Sequence, residues 1–350
     1  MPEFHIAVLG GDGIGPEVIA EGVRVLRAVE AGMSGTSFVL EDWPAGANEY
    51  LQNGDPLPAT TMDACRRADA ILLGAMGMPS VRWPNGTEMA PQLDLREQLE
   101  LYAGVRPARL YNPAHSPLRG RETAPIDLVM FRENTEGMFA SRKNSYDPGA
   151  GVVCDTLRIS RHASERLFRA AFRMAASRRS QVTLIDKSNV LPSMAYFRSI
   201  FDQVSREFPS VRAEHVYVDA AALYLVRTPE RFDVLVTENL FGDILSDLTA
   251  GLAGGMGMAP SGDIGDEHAL FQPAHGSAPD IAGRGIANPL ATILSVAMML
   301  EWLDTPETVE GAARIRRSVE LVCQDRHNAT PDLGGKFTTS QMGDTVIAAL

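Results

Sequence analysis

The chain has 350 residues, of which 45% are hydrophobic and 22% charged, and its formal net charge at pH 7 is −12. This composition is that of an ordinary globular protein, and the length suits two α/β domains or one large one. The acidic balance argues against nucleic acid or an anionic membrane as a partner, because both bind basic surfaces, whereas a small anionic substrate needs only a local cluster of arginines.

The three cysteines, Cys65, Cys154 and Cys323, are odd in number and widely spaced. This pattern fits neither a disulfide framework nor a zinc site, and it indicates a reducing compartment. The first residues lack the basic and apolar segments of a signal peptide. The apolar segment at 294–300 is far too short to span a bilayer. We therefore expect a cytoplasmic protein with no membrane partner.

The chain begins with a predicted strand at Phe4–Leu9, followed by the glycine-rich turn Gly10–Pro16. This turn is not the dinucleotide fingerprint of a Rossmann fold, because its glycines run G-x-G-x-G and Pro16 takes the next place. The glycines either let the backbone approach a ligand or only make a tight strand-to-helix connection. A second buried strand is predicted at 68–74.

Three arginines lie at the ends of predicted elements or on a polar stripe. Arg96 lies on the polar side of an amphipathic helix predicted at 92–102, Arg106 precedes a proline in extended backbone, and Arg132 follows an apolar strand at 127–131. Each alone is also compatible with an ordinary surface position. If the three converge, their planar guanidinium groups suit a di- or tricarboxylate.

The middle of the chain predicts an arm and two further strand ends with charged residues. The segment at about 138–160 is polar and contains glycines, which is typical of a protruding arm. Lys187 follows a strand at 181–185, where a lysine is either solvated or, when partly desolvated beside a carboxylate, a general base. A strand at 215–219 is predicted to end in Asp219.

The stretch Thr237–Asp247 follows an apolar strand and places two carboxylates on one face of a predicted helix. Asp243 and Asp247 repel each other unless a cation lies between them, and ligands that are all oxygen favour Mg²⁺ or Mn²⁺ over zinc. The alternative is a solvated acidic face. Asn239 is expected to cap the helix, and Gly242 to allow another group to approach closely.

A glycine-rich loop at His275–Pro289 precedes an apolar helix at 291–303. Loops of this kind offer backbone N–H groups to phosphates or ribose. Asp280 can accept hydrogen bonds from an adenosine ribose and would repel a 2′-phosphate, which favours NAD over NADP.

Five segments, taken together, resemble the β-decarboxylating dehydrogenases, the isocitrate/isopropylmalate dehydrogenase family. They are Gly11–Glu17, Arg132–Gly137, Asp186–Leu191, Asn239–Asp247 and His275–Pro289. The family includes isopropylmalate, isocitrate, homoisocitrate, tartrate and D-malate dehydrogenases. The segments span nearly the whole chain in the family's order, so the resemblance identifies the family and not the individual member.

The resemblance implies an α/β fold of two domains that differs from the classical Rossmann fold. A first, cofactor-side domain would comprise 1–98 and 254–350, and a second domain at 99–253 would carry the metal site, the dimer contact and the arm. It also implies a homodimer with shared active sites.

The resemblance further implies roles for individual residues. Arg96, Arg106 and Arg132 would bind the carboxylates of a malate-type acid. Lys187 would reach in from the partner subunit as the general base, together with the catalytic Asp219. The metal ligands for Mg²⁺ or Mn²⁺ would be Asp219, Asp243 and Asp247. The residues at the NAD cofactor would be Asn189 near the nicotinamide, with His275, Gly276, Ser277, Ala278, Asp280 and Asn288 around the adenosine.

The implied reaction moves a hydride from the hydroxyl-bearing carbon to NAD⁺ while Lys187 takes the hydroxyl proton, and the metal stabilises the enolate left when CO₂ departs. The chain departs from the family at Phe139, where a tyrosine usually supplies the final proton, and at Gln272, where glutamate is common. Tyr146 or water can replace the missing donor, or the oxidised acid is released without efficient decarboxylation.

The substrate is left open by the sequence. The residues before Arg96, which are Met89, Ala90, Gln92 and Leu93, offer both apolar and amide surroundings. We expect an enzyme similar to 3-isopropylmalate dehydrogenase, with the tartrate or D-malate and the isocitrate or homoisocitrate enzymes as alternatives. Two other classes remain: a metal-dependent enzyme without redox chemistry, and a binding protein that kept the fold without turnover.

Overall fold

The computed structural model of the protein describes residues 2–122, 124–143, 145–325 and 327–350. Within these residues, helices cover both faces of a ten-stranded sheet, and two further strands form a separate ribbon. The strands are β1 (Glu3–Gly11), β2 (Ser37–Asp42), β3 (Ala70–Ala75), β4 (Ala103–Arg109), β5 (Asp127–Glu133), β6 (Tyr146–Gly149), β7 (Val152–Cys154), β8 (Gln181–Asp186), β9 (Arg212–Tyr217), β10 (Val234–Thr237), β11 (Pro260–Ile264) and β12 (Ala269–Pro273). The helices are α1 (Gly15–Glu30), α2 (Ala47–Asn53), α3 (Ala59–Arg67), α4 (Pro91–Gln98), α5 (Arg161–Ala176), α6 (Pro192–Ser205), α7 (Val218–Arg227), α8 (Asn239–Leu252), α9 (Leu290–Trp302), α10 (Pro306–Gln324) and α11 (Thr339–Ala348).

The order of the strands in the large sheet is β2-β1-β3-β12-β11-β4-β5-β10-β8-β9. Both ends of the sheet are parallel, whereas β11 runs antiparallel to its neighbours β12 and β4, and β4 runs antiparallel to β5. A classical Rossmann sheet has no such antiparallel centre. The prediction of an α/β fold outside the Rossmann class is therefore confirmed.

The two chain segments that we predicted as domains occupy the two halves of the sheet. Strands from 1–98 and 254–350 form the half that ends at β11, and strands from 99–253 form the half that begins at β4. The sheet is hydrogen-bonded across this junction, from Gly262 to Ile264 against Ala103 to Val105. The division into two domains stays a prediction.

Central strands of this sheet are buried on both faces, as parallel strands covered by helices must be. Every residue of β3 (AILLGA) and of β10 (VLVT) is buried. The helix α9 is apolar almost all round and packs against β11 and β12, so it is an internal helix of the first segment. These buried elements fix the strand ends from which the polar residues of the site project.

The structure corrects two predicted element ends and one predicted helix cap. The strand predicted to end at Asp219 ends at Tyr217, and Asp219 lies in the first turn of α7, where the helix dipole favours an acid. The helix predicted to reach 102 ends at Gln98, since Glu100 adopts a left-handed φ of 52°. Glu238, not Asn239, caps α8.

The predicted arm contains a two-stranded ribbon. Its strands β6 and β7 pair with each other in antiparallel fashion and not with the large sheet. Val152 and Val153 of β7 are exposed. The side chain of Tyr146, one of the alternatives for the final proton, lies outside the part of the chain that the structure describes. Among the described residues, no helix has the length and apolar character needed to cross a membrane.

Candidate active site

A cavity of about 240 Å³ lies where the ends of β3, β4, β5 and β12 meet the helices α4 and α8. Its lining includes Arg96 from α4, Arg106 from β4, Arg132 from β5, and Asp243 and Asp247 from α8. The structure thus brings together the three predicted arginines and the predicted carboxylate pair. Further lining residues are Gln92, Leu93, Phe139, Gln272, His275 and Gly276.

A larger cavity of about 310 Å³ lies on the opposite face of β4, because its lining residues Val105 and Pro107 alternate with Arg106 along the strand. Its walls are mainly apolar. Its charged residues are already paired within the protein, as between Arg316 and Glu301 at 2.7 Å. We therefore assign the chemistry to the smaller cavity, where charged groups keep hydrogen-bonding atoms that have no partner among the described residues.

Asp263 forms ion pairs with two of the three arginines, Arg96 and Arg106, and no role was predicted for it from the sequence. Its carboxylate accepts hydrogen bonds from Arg96 Nε at 2.8 Å and from Arg106 Nη2 at 3.0 Å. Asn134 Nδ2 and Gln272 Nε2 donate to it as well, each at 2.9 Å. The side chain is fully buried. Burial alone would raise its pKa, but the charges of Arg96 and Arg106 hold the pKa of Asp263 at about 2.

A signal for Asp263 was nevertheless present in the sequence. An acid within a strand of otherwise uncharged residues must be paired if that strand is buried, since an unpaired buried charge is very costly. The contacts of Asp263 also explain one departure from the family. Gln272 donates its amide to Asp263, whereas a glutamate there would place a second carboxylate against the first.

Arg132 is held in place by α8. Its Nε donates to Asn239 Oδ1 at 2.9 Å, and its Nη1 donates to Asp243 Oδ1 at 2.5 Å. Gly242 makes this packing possible, because a Cβ on Gly242 would lie 2.7 Å from Arg132 Cγ. The close approach predicted at Gly242 is therefore made by Arg132, and Asn239, which is not the cap, orients the same arginine.

Several buried polar atoms of the cavity residues have no hydrogen-bond partner among the described residues. They include Arg106 Nη1, Arg132 Nη2 and His275 Nε2. Burial lowers the pKa of Arg106, and burial together with the nearby charge of Arg96 lowers the pKa of Arg132 to about 10. Buried donors without partners need an explanation, and for two guanidinium groups at a cavity a carboxylate ligand supplies it.

The carboxylates of α8 fit a divalent cation. Asp243 and Asp247 are one helical turn apart and both line the cavity. Burial, and then the charge of Asp243, raise the pKa of Asp247, so a cation beside the pair would relieve both effects. Oxygen ligands of this kind suit Mg²⁺ or Mn²⁺. Within the described residues of one chain, however, no three His, Cys, Asp or Glu side chains lie close enough to hold a metal.

Asp219, the third predicted ligand, lies with Lys187 and outside the cavity. Lys187 Nζ donates to Asp219 Oδ1 at 2.8 Å, and this hydrogen bond lowers the pKa of Asp219. Asn189 is exposed in the loop that follows Lys187. A single chain therefore does not bring Lys187, Asn189 and Asp219 to the arginines.

The predicted cofactor loop contributes His275 and Gly276 to the cavity. Desolvation lowers the pKa of His275, which favours the neutral imidazole at pH 7. Ala278 has a φ of 38°, and Asp280 is exposed. Asn288 instead uses its side chain inside the protein, with Nδ2 donating to Asp332 Oδ2 at 3.1 Å and Oδ1 accepting from the backbone N–H of Leu290 at 3.0 Å.

The glycine-rich turn after β1 supports this loop. The backbone N–H of Ile14 donates to the Ser277 carbonyl at 2.8 Å, and Ser277 Oγ donates to the Gly77 carbonyl at 2.5 Å. Gly13 has a φ of 58°, and a Cβ there would lie 1.9 Å from the backbone carbonyl oxygen of Ser277. The close approach in this turn is therefore made by the protein backbone, which favours the second of the two interpretations left open by the sequence.

Comparison with known proteins agrees with this geometry. The family model described as isocitrate/isopropylmalate dehydrogenase matches residues 5–346. The 3-isopropylmalate dehydrogenase of Zymomonas mobilis is 42% identical, over 99% of this chain and 100% of that protein. The isocitrate/homoisocitrate dehydrogenase of Thermus thermophilus is 43% identical, over 99% and 98% respectively.

A solved structure confirms the fold. The isocitrate dehydrogenase of Methylococcus capsulatus superimposes with a TM-score of 0.89 at 36% identity, over 99% of both chains. The β-decarboxylating dehydrogenase of Thermococcus kodakarensis gives a TM-score of 0.81 at 36% identity, over 99% of this chain and 96% of that one. The chain therefore belongs to the isocitrate/isopropylmalate dehydrogenase family, whose members are decarboxylating oxidoreductases.

Proposed function

We propose that the protein is an NAD- and divalent-metal-dependent dehydrogenase that oxidises and decarboxylates a malate-type 2-hydroxy acid, with 3-isopropylmalate as the expected substrate. One observation carries the proposal: two buried guanidinium groups each have a nitrogen with no partner among the described residues, beside a pair of carboxylates in the same cavity. The relatives named 3-isopropylmalate dehydrogenase, which this chain matches over nearly its whole length, support the choice of substrate.

Each group in the cavity has a distinct task in this reaction. Arg106 and Arg132 donate to the carboxylates of the acid and hold it against the loop at His275. Asp243 and Asp247 would hold Mg²⁺ or Mn²⁺, and Lys187 of the partner subunit, in its deprotonated form, takes the hydroxyl proton at Nζ. When bound, the metal supplies stabilisation of developing negative charge, and NAD⁺ supplies the hydride acceptor.

We propose that a homodimer completes the site. Leu223 and Val226 on α7 and Ile244 on α8 are 52%, 43% and 58% exposed, and these two helices pack side by side. Exposed apolar residues on adjacent helices are typical of an interface. Burying them against a second copy would bring Lys187 and Asp219 of the partner subunit to Asp243, which a single chain does not do.

A second substrate class has one observation in its favour. Gln92 lines the cavity next to Leu93, and its Oε1 is buried with no hydrogen-bond partner among the described residues. An amide at this place can bind the extra polar group of isocitrate or homoisocitrate, whereas Leu93 suits the isopropyl group of 3-isopropylmalate.

A substrate panel tests the proposed function. 3-Isopropylmalate, D-malate, tartrate, isocitrate and homoisocitrate are incubated with NAD⁺ and Mn²⁺, while NADH absorbance and CO₂ release are followed separately. We expect the highest kcat/KM with 3-isopropylmalate, little activity with NADP⁺, and loss of activity when EDTA removes the metal. Absence of NADH with every acid would refute the proposal.

A further inference from the structure

Asp263 is a fully buried carboxylate that contacts two arginines of the substrate cavity. Its carboxylate accepts hydrogen bonds from Nε of Arg96 and Nη2 of Arg106, and these bonds fix the orientation of both guanidinium planes. For Arg106 the nitrogen left without a partner among the described residues is Nη1. Asp263 itself does not line the cavity, so it acts on a ligand only through the arginines.

The charges around the cavity balance when Asp263 is counted. The positive charges are those of Arg96, Arg106 and Arg132, and the negative ones are those of Asp243, Asp247 and Asp263. His275 is counted as neutral, because desolvation lowers its pKa from an ordinary value already below 7. Lys187 and Asp219, counted as an ion pair, add no net charge to the binding step when they arrive from the partner subunit. A divalent cation then leaves two positive charges, which match a dianion. A trianion would leave one negative charge in excess.

On the basis of the proposed function, we propose that Asp263 is a positioning residue that also sets substrate charge: by cancelling one arginine charge from behind, it makes the site prefer a dianionic hydroxy acid over a trianionic one. This places 3-isopropylmalate and D-malate ahead of isocitrate and homoisocitrate, although Gln92 offers the latter a polar contact.

Gln272 contributes to the same charge balance. The Gln272 amide donates to Asp263 Oδ2 at 2.9 Å, and Gln272 also lines the cavity. Because the amide is neutral, Asp263 and Gln272 together carry a charge of −1. A carboxylate at either position therefore satisfies the same charge count, provided that the other position carries an amide.

The test is a ratio of dissociation constants. Calorimetry with Mn²⁺ and without NAD⁺ measures the binding of isocitrate and of 3-isopropylmalate to the wild-type protein and to Asp263→Asn. Asp263→Asn removes one negative charge next to Arg96 and Arg106, which should favour the trianion. We therefore expect the dissociation constant of isocitrate, divided by that of 3-isopropylmalate, to fall about tenfold. This size follows from the Coulomb energy of one charge at an effective dielectric constant of about 20. Equal weakening of both acids would show a merely structural role and overturn the inference.

Matched variants separate charge from structure. The double variant Asp263→Asn with Gln272→Glu restores the charge one hydrogen bond away, and we expect it to return the ratio towards the wild-type value. Asp266→Asn removes a charge from the same β11–β12 hairpin, where Asp266 contacts Tyr102 and no arginine of the cavity, and it should leave the ratio unchanged. A shift as large in Asp266→Asn as in Asp263→Asn would contradict the inference.

Folding and the proposed function are controlled separately. If Asp263→Asn unfolds, Asp263→Ser removes the same charge with a smaller side chain, and the same fall in the ratio is expected. The wild-type protein is measured first. If it binds neither acid, the proposed function and this inference both fail, whereas binding of both acids with an unchanged ratio in the variants overturns the inference alone.

Discussion

At the scale of single residues, the candidate site depends on how buried charges are partnered. The sequence could predict Arg96, Arg106 and Arg132, because residues at the ends of buried strands and on the polar side of a helix are available to a ligand. It could not show that Asp263 contacts two of them, since the hydrogen bonds join residues more than 150 positions apart. Sequence alone identified Gln272 as a departure, and only the contact with Asp263 gives the reason.

Phe139 permits a prediction about the last proton of the reaction. Its ring lies over the guanidinium of Arg132, with 5.2 Å between the ring centroid and Cζ, and it lines the cavity. A phenyl ring at this place cannot donate a proton to the product. We expect CO₂ release to lag behind NADH formation in the wild-type protein and Phe139→Tyr to remove the lag, as measured by following both products in one reaction. Equal rates in the wild-type protein would show that another donor serves.

At the scale of elements, α8 was predicted with its two carboxylates on one face, and the structure confirms that placement. The sequence did not predict what the helix does for Arg132. Gly242 and Asn239 were identified as special positions from their residue types, but the group that each contacts comes from β5, which lies about a hundred residues earlier in the chain. Local residue types indicate that another group comes close to the helix, and the tertiary fold determines which group this is.

Gly242→Ala should therefore impair the site without breaking the helix. The new Cβ would lie 2.7 Å from Arg132 Cγ and 2.8 Å from Arg132 Cβ, so the arginine must move away from Asp243. We expect kcat/KM for the substrate to fall by about tenfold or more, as small displacements of positioning groups do.

Gly251→Ala in the same helix is the matched control, because no atom of the described residues outside the neighbouring backbone of its own helix lies within 4 Å of the added Cβ. It should leave kcat/KM unchanged and stabilise the helix by up to about 1 kcal/mol. Urea unfolding and steady-state kinetics on both variants provide the comparison. Equal kinetic effects of the two substitutions would show that contact with Arg132 is not the cause.

At the scale of the whole molecule, the α/β class and the family could be predicted from motifs that span the chain. The order of the strands could not, since β11 and β4, which join the two halves of the sheet, are 151 residues apart from Pro260 back to Arg109. The sequence likewise could not show that Lys187 and Asp219 lie outside the cavity of their own chain. The proposed homodimer accounts for this arrangement, because a second copy would supply both residues to the site.

Subunit mixing tests whether the active site is shared between two chains. Lys187→Ala and Asp243→Asn are each expected to be inactive. In a mixed dimer, one site would combine Asp243 of the first variant with Lys187 of the second, and both residues would be intact. Random reassociation makes half of the dimers mixed, each with one intact site, so about a quarter of the wild-type activity should return.

The control for subunit mixing is the pair Lys187→Ala and Asp219→Asn. Because Lys187 and Asp219 contact each other in one chain, a single subunit delivers both to the same site, and every site of this mixed dimer contains one altered residue. NADH formation should therefore stay absent here while it returns in the first mixture. Recovery in both mixtures, or in neither, would mean that Lys187 and Asp243 do not meet across a dimer interface.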